Sequence, residues 1–239
     1  MRGIVIGALA AACALLLGAI LATPWAFSRI ELAPLRYDVI GIDVSRHQGP
    51  IDWRTLAGSG IGFAYIKASE GATFRDANFA TNWSEAALAG VPRGAYHFFT
   101  QCRAGADQAQ NFIATVPRDP QALPHVVDAE HMGPCRTGPA VADVVQEIEI
   151  FLALIEAHYG RRPLIYTTFE FHDVYLKGRL ADERFWLRSL VIPPRFGGRS
   201  WTFWQYHNRG RRPGITGEVD LNAFNGSRPD FATFAQPIP

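Results

Sequence analysis

The sequence lacks the motifs by which several large classes of enzyme are recognised. There is no Gly-x-Gly-x-x-Gly fingerprint and no phosphate-binding P-loop, so a nucleotide cofactor is not expected. There is no Gly-x-Ser-x-Gly elbow, so a serine hydrolase is not supported. His47, His97 and His131 lie apart and form no His-x-His or His-Glu-x-x-His pattern, so we expect no metal site. The sequence therefore predicts a protein that needs neither a cofactor nor a metal.

Charge is also scarce. Asp, Glu, Lys and Arg make up 19% of the 239 residues, the formal net charge is +1, and no long block carries charge of one sign. Binding to nucleic acid through its phosphates needs a basic field, which this composition does not supply. We therefore expect no nucleic-acid partner.

One long stretch near the N-terminus has no charge at all. Residues 3–22 are all apolar or small, which is close to the ~20 residues that span a bilayer. We interpret residues 1–27 as a signal peptide or membrane anchor and residues 28–37 as a linker. An uncleaved anchor is slightly favoured, since Ile20-Leu21-Ala22 is a poor cleavage site. Either interpretation places the folded part outside the cytoplasm, periplasmic or secreted, and an uncleaved segment would attach it to the inner membrane.

Cysteine is limited to three residues, and one of them, Cys13, lies in the apolar run. The remaining pair, Cys102 and Cys135, would meet in an oxidising compartment, where a disulfide is favoured. The bridge would stabilise the fold by about 3–4 kcal/mol in the chain-entropy model. Two free, buried thiols are the alternative.

Apolar residues, by contrast, are plentiful at 48% of the chain, enough for one domain with a sizeable core. Five apolar strand patterns alternate with amphipathic helix patterns, and three further strands follow with short connections: 39–44, 61–67, 93–99, 123–130, 163–167, 185–187, 201–206 and 217–222. Continuous apolar strands between helices indicate a parallel sheet covered by helices. We predict an α/β, TIM-like modified (β/α)5β3 barrel over residues 38–226, followed by a polar C-terminal tail at 227–239.

The fourth predicted strand ends in two acids, Asp128 and Glu130. Side chains repeat every two residues along a strand, so both acids face the same way, with Cα atoms ~6.6 Å apart. Burying two carboxyl groups is costly unless they have partners or shifted pKa values. A strand end that simply emerges into solvent is the alternative.

In barrels of this kind the reactive residues collect at the C-terminal ends of the strands. The other predicted strand ends carry acids, a lysine and aromatic or amide side chains, namely Asp43, Lys67, Tyr96, Tyr166, Trp204, Gln205 and Asp220, and Tyr65 faces the same way as Lys67. Each has a simpler interpretation: Asp43 as a loop cap, Lys67 as a solvated strand end or a partner of a carboxylate, Trp204 as core, Asp220 as a turn former. Together they predict a site on one rim, and aromatic faces there would suit a sugar.

Several of these stretches, in this order, resemble glycoside hydrolase family 25, the muramidases of the Chalaropsis type. The matching segments are Gly41-Ile-Asp-Val-Ser-Arg-His-Gln-Gly49, Ile51-Asp-Trp53, Tyr65-Ile-Lys67-Ala-Ser-Glu-Gly71, Gly94-Ala-Tyr-His-Phe98, Leu123-Pro-His-Val-Val-Asp-Ala-Glu130, Ile165-Tyr166, Trp204-Gln-Tyr206 and Val219-Asp220. The resemblance spans residues 38–226. One departure is Leu187-Arg188-Ser189, which is bulkier and more basic than the small-residue pattern usual there.

The resemblance implies hydrolysis of the β-1,4 bond between N-acetylmuramic acid and N-acetylglucosamine in peptidoglycan, by a monomer acting on glycan strands. It implies Glu130 as general acid and Asp128 as the second carboxylate, with Asp43 and Asp220 as the other acids of the site. Crowding of like charges would leave the proton on Glu130 and keep Asp128 ionised. Whether Asp128 acts as nucleophile, stabilises the oxocarbenium-like centre or orients the substrate's acetamide stays open.

Two other functions stay open at this level. One is a non-catalytic module that binds cell wall. The other is a glycosidase that acts on another N-acetylhexosamine polymer, such as chitin.

Overall fold

The computed structural model describes residues 31, 33–131, 135, 141–190, 192–196 and 198–237. The N-terminal segment interpreted as a signal peptide or anchor, residues 1–27, lies outside these. Among the described residues, no helix has the length and hydropathy needed to cross a membrane.

Nine strands form one sheet. They are β1 (Ile40–Val44), β2 (Phe63–Glu70), β3 (Phe74–Arg75), β4 (Arg93–Phe98), β5 (Val126–Ala129), β6 (Leu164–Thr168), β7 (Phe185–Arg188), β8 (Phe203–Gly210) and β9 (Val219–Phe224). Their order is β1-β9-β8-β7-β6-β5-β4-β2-β3, and β1 also pairs with β2. The sheet is therefore a closed barrel of eight strands, with the two-residue β3 attached to the edge of β2.

All neighbouring strands of the barrel are parallel except where β9 is involved. β9 runs antiparallel to both β8 and β1. The predicted (β/α)5β3 barrel is thus confirmed, and its last strand enters from the rim at which the other seven strands end.

A helix follows each of the first five barrel strands, which are β1, β2, β4, β5 and β6. These helices are α1 (Trp53–Gly58), α2 (Phe79–Leu88), α3 (Gly105–Ile113), α4 (Val141–Tyr159) and the short α5 (Phe169–Phe171), which continues as a π-helical turn over His172–Leu176. Asp52 caps α1, as its position before Trp53 suggests, by accepting a hydrogen bond from the Thr55 N–H. Within the described residues, no helix connects β7 to β8 or β8 to β9, in agreement with the short connections predicted there.

Aromatic side chains fill the inside of the barrel. Phe63, Tyr65, Trp186 and Phe203 pack with ring centroids 4.8 to 6.3 Å apart, and all are at most 2% exposed. Gly94 makes room for this packing, because a Cβ there would lie 2.3 Å from the Tyr65 ring. The barrel interior is therefore filled by side chains below the rim at which the parallel strands end.

The segment predicted as a linker is instead part of the domain. Residues Ala33–Leu35 form a 3-10 turn, and the Tyr37 ring lies 5.5 Å from Trp201 and 5.8 Å from Trp204. Glu31 forms an ion pair with Arg212 at 2.6 Å. The folded unit therefore begins at or before residue 31 and not at residue 38.

The predicted polar tail is also partly wrong, because residues Arg228–Phe234 form a helix, α6. Ser227 and Asp230 form a capping box at its start. Phe231 is 8% exposed and packs on Phe63 and Phe224. Helix α6 thus covers the end of the barrel opposite the rim at which the parallel strands end.

Candidate active site

A pocket of about 290 Å³ opens at the rim where the parallel strands end. Its walls combine the predicted residues Asp43, Lys67, Tyr96, Asp128, Glu130, Tyr166, Gln205 and Asp220 with Val44, Ser45, His47, Gln48, Phe98 and Trp186. The barrel topology therefore gathers eight of the ten predicted catalytic and substrate-binding residues in one place.

Asp43 and Asp220 form one pair of acids in the pocket. They are direct partners in the antiparallel register of β1 and β9, so their side chains lie on the same face. Burial raises the pKa of both groups, that of Asp220 to about 8, and a hydrogen bond from the protonated Asp220 to Asp43 stabilises the shared proton. Asp220 was expected at the end of its strand. It lies instead near the start of an antiparallel strand, which reaches the same rim.

A chain of buried amides holds Asp43 in place. Its Oδ2 accepts hydrogen bonds from Asn222 Nδ2 at 2.7 Å and Gln205 Nε2 at 3.1 Å. The Tyr166 hydroxyl donates to Gln205 Oε1 at 2.9 Å, and Trp186 Nε1 donates to Asn222 Oδ1 at 2.9 Å. Five side chains from five strands are thus joined in one network around a single carboxylate.

Asp128 is another acid of the pocket. It is 8% exposed, and its Oδ1 is buried without a hydrogen-bond partner among the described residues. Burial raises the pKa of Asp128 well above its usual range, the charge of Glu130 raises it further, and Lys67 opposes the rise. A buried carboxyl oxygen without a partner can accept a hydrogen bond from a ligand that enters the pocket.

Glu130 follows the last residue of β5 and is half-buried. Burial raises its pKa too, while the positive charge of Arg188 lowers it. The pKa values of both acids are therefore raised, so Asp128, which the sequence predicts to be ionised, is also shifted toward its protonated form in the free enzyme. Burial is the main cause for both groups, and the charge of Glu130 adds to it at Asp128.

Lys67 forms its ion pair with Glu70 and not with one of the four acids of the pocket. Its Nζ binds Glu70 Oε2 at 2.8 Å, and it lies 4.8 Å from the centroid of the Phe98 ring. The ammonium group still lowers the pKa values of Asp128 and Glu130 through space. It therefore acts on the acid pair as a nearby charge while it is hydrogen-bonded to Glu70.

The loops beside the acid pair are tied together. The predicted disulfide between Cys102 and Cys135 is present. Gln101 Nε2 donates to the backbone oxygen of Glu130 at 3.1 Å. The bridge and this hydrogen bond connect the loop after β4 to the segment that carries Glu130.

Two predicted substrate-binding residues do not line the pocket. Tyr65 is fully buried inside the barrel, and its hydroxyl donates to the Pro124 carbonyl, below the start of β5. Trp204 lies on the outside of β8, because side chains alternate along a strand and its neighbours Phe203 and Gln205 point inward. This alternation is readable from the sequence, and it predicts that Trp204 and Gln205 lie on opposite faces of the strand.

Sequence reasoning missed Asn222, Trp186 and the loop residues His47 and Gln48. Asn222 had a signal, since it follows Asp220 by two residues and so shares its face. The loop residues follow β1, where Ser45 and Gln48 form a capping box. Their Ser-x-x-Gln spacing is the sequence signature of such a box and was the available signal. Among the described residues, no group of three or more His, Cys, Asp or Glu side chains is placed to hold a metal ion.

Comparison with known families identifies the same family that the sequence motifs resemble. The model of glycosyl hydrolases family 25 matches residues 42–215, which include the whole pocket except Asp220. The chain belongs to glycosyl hydrolase family 25. It is a glycoside hydrolase, and its resemblance to lysozymes and muramidases supports peptidoglycan hydrolysis.

Two relatives illustrate the range of the family. Lysozyme M1 of Streptomyces globisporus is 38% identical over 203 residues, which cover 79% of this chain and 68% of that protein. The uncharacterized protein YegX of Escherichia coli K12 is 34% identical over 211 residues, covering 86% of this chain and 76% of that protein.

Solved structures show the same barrel. A family 25 glycosyl hydrolase from Bacillus anthracis superposes with a TM-score of 0.80 at 38% identity, over 84% of this chain and 95% of that one. A bacterial lysozyme from Streptomyces coelicolor gives a TM-score of 0.76 at 37% identity, over 82% and 96%.

Proposed function

We propose that this family 25 enzyme cleaves the β-1,4 bond between N-acetylmuramic acid and N-acetylglucosamine in peptidoglycan. The observation that carries the proposal is the set of four clustered carboxyl groups in the open pocket, namely Asp43, Asp128, Glu130 and Asp220. Glycoside hydrolysis needs a protonated acid beside the leaving oxygen and negative charge near an oxocarbenium-like centre. The substrate lies in the cell wall, so the enzyme acts outside the cytoplasm.

Glu130 is the proton donor in this proposal. It is the acid nearest the end of its strand, it is half-buried, and its raised pKa keeps a proton at higher pH than a free glutamate would. The hydrogen bond from Gln101 and the nearby disulfide hold its backbone while substrate enters. These features suit a group that must meet the glycosidic oxygen in one fixed geometry.

Asp128 receives the substrate's acetamide N–H in this proposal. Its unpaired Oδ1 is the acceptor, and a bound N–H would satisfy the buried oxygen and stabilise the ionised form. The acetamide oxygen would then be oriented toward the anomeric carbon, and the charge on Asp128 would stabilise the positive charge that develops there.

Substrate binding thereby redistributes the proton between the two acids. In the free enzyme burial raises the pKa of Glu130 and also that of Asp128. An acetamide donor at Asp128 lowers that pKa, and the proton then resides on Glu130, where the leaving group needs it. The pair of Asp43 and Asp220 adds fixed negative charge to the floor of the pocket.

The test uses purified peptidoglycan and the full chain. We expect the wild type to clear a peptidoglycan suspension, and Glu130→Gln to lose roughly 10²–10⁴-fold in rate because it cannot donate a proton. Asp128→Asn should lose activity to a similar degree. Glu149→Gln, at an exposed position on α4, is the matched control and should retain full activity.

Mass spectrometry of the borohydride-reduced fragments identifies the bond that is cut. Reduced muramic acid at the new ends supports the proposal, whereas reduced glucosamine would show a glucosaminidase. Binding without any cleavage by the wild type would indicate a wall-binding module and contradict the proposal.

A further inference from the structure

A second depression lies next to the catalytic pocket, between the ends of β6 and β7. It has a volume of about 410 Å³. We name it the β6–β7 depression, and it is lined by Thr168, Phe169, Glu170, Arg188, Ser189, Leu190, Arg195 and Phe196. None of these residues contributes to the walls of the catalytic pocket.

Arg188 connects the two cavities. It is the register partner of Gln205 in the parallel pair of β7 and β8, so its side chain starts on the same inner face as Gln205. Its charge lowers the pKa values of Glu130, Asp43 and Asp220, which shows how close it lies to the acids. Within the described part of the chain its side chain makes no hydrogen bond or ion pair, so its guanidinium donors are available to a ligand.

A second cation and exposed apolar side chains complete the depression. Arg195 is exposed and likewise has no ion pair among the described residues. Phe169 is 52% exposed and Leu190 is 41% exposed, so the depression presents apolar side chains to solvent. Glu170 contributes one exposed carboxylate, so the depression is cationic overall but of mixed charge.

An uncharged N-acetylglucosamine unit offers nothing that two guanidinium groups prefer. The peptide stem on muramic acid offers suitable partners, because it carries carboxylates together with the small methyl groups of alanine. Guanidinium binds carboxylate by charge-assisted, often paired, hydrogen bonds, and the apolar side chains would contact the methyl groups. A depression beside the scissile-bond site is where a substituent of the bound sugar would extend.

We propose that the β6–β7 depression binds the peptide stem of a muramic acid residue, with Arg188 and Arg195 holding its carboxylates. The inference rests on the proposed muramidase function and adds a substrate feature to it: the enzyme prefers glycan strands that still bear their peptides.

The test compares two substrates prepared from one batch of glycan strands. One retains its stems, and the other has been stripped by an amidase, which leaves a free lactyl carboxylate on each muramic acid. We expect Arg195→Ala to lose about 5- to 20-fold in kcat/KM on the stem-bearing strands and to leave the stripped strands unaffected. Arg195→Lys, which keeps the charge, should recover part of the loss.

Arg54→Ala is the control, since Arg54 is exposed on α1 and lines neither cavity. Equal losses on both substrates, no loss on either, or a wild-type preference for the stripped strands would each overturn the inference while leaving muramidase activity intact. Failure of the wild type to cleave either substrate would instead refute the proposed function.

Discussion

At the scale of single residues, the site depends on how carboxyl groups share protons. Burial raises the pKa values of all four acids in the pocket, and Lys67 and Arg188 moderate the rise without eliminating it. The acid pair on β5 could be predicted because the two-residue period of a strand is local. The hydrogen bonds of the supporting amides could not, because Asn222 donates to Asp43 across 179 positions of sequence.

Asn222 supports Asp43 and Trp186 at once, so we expect its removal to be costly. Asn222→Ala would leave the Trp186 N–H without its acceptor and Asp43 with one donor fewer, and should lower the free energy of unfolding by about 1–3 kcal/mol. Urea unfolding measures the change. Asn208→Ala, at an exposed position on β8, should change it by less than about 0.5 kcal/mol. Equal effects at the two positions would contradict this account.

The raised pKa of Asp220 makes stability depend on pH. Its pKa is about 8 in the folded protein and about 3.9 in an unfolded chain. The stability that proton binding contributes is therefore fully present below about pH 3.9 and is lost as the pH rises through about 8. Asp220→Asn has no such loss, and its amide can still donate to Asp43.

We expect Asp220→Asn to be more stable than the wild type at pH 8, by on the order of 1–3 kcal/mol, and about equal to it at pH 4.5. Denaturant unfolding at the two pH values measures this difference. Asp182→Asn, at an exposed loop position, should show the same stability as the wild type at both. A pH-independent difference for Asp220→Asn would refute the shared proton.

At the scale of elements, the sequence predicted strand and helix types well and their ends less well. The acid-pair strand is four residues long, shorter than the 123–130 expected, because the Leu123 amide bonds the Arg93 carbonyl before regular pairing begins. The C-terminal helix was missed although Ser227 and Asp230 form a capping box. Its seven residues are held by aromatic packing on the barrel, which propensity does not reveal.

The disulfide between Cys102 and Cys135 is the strongest single constraint on the loops beside Glu130. We expect the double variant Cys102→Ser, Cys135→Ser to lose up to about 3–4 kcal/mol of stability, the loop-entropy value for a separation of 33 residues. Its activity should also fall, because the loop bearing Gln101 is released. Reductant should lower the unfolding midpoint of the wild type and leave the double variant unchanged; equal midpoints without reductant would contradict the prediction.

At the scale of the whole molecule, the fold class was predictable because alternating strand and helix patterns admit few topologies. The domain boundary was not, since Tyr37 and Glu31 find their partners on β8 and on the loop after it. Short polar segments look like linkers in a sequence until the surface that they cover is known.

The boundary gives a prediction for truncated chains. A chain that begins at residue 31 should keep the Tyr37 packing and the ion pair between Glu31 and Arg212, whereas one that begins at residue 38 should be less stable by about 2–4 kcal/mol. Thermal and urea unfolding compare the two. Leu35→Ala in the longer chain is the control, because Leu35 is 84% exposed. Identical midpoints for the two chains would restore the linker interpretation.

The seam between β1 and β9 has a kinetic consequence. It joins Asp43 to Asp220 and Asn222, so the floor of the pocket exists only after the two ends of the barrel have met. Contacts between residues so distant in the chain carry a large loop-closure cost and form late in folding. During refolding, the helical circular-dichroism signal should therefore return before hydrolytic activity. A chain in which β1 and β9 have not yet paired has no complete pocket and should not hydrolyse peptidoglycan.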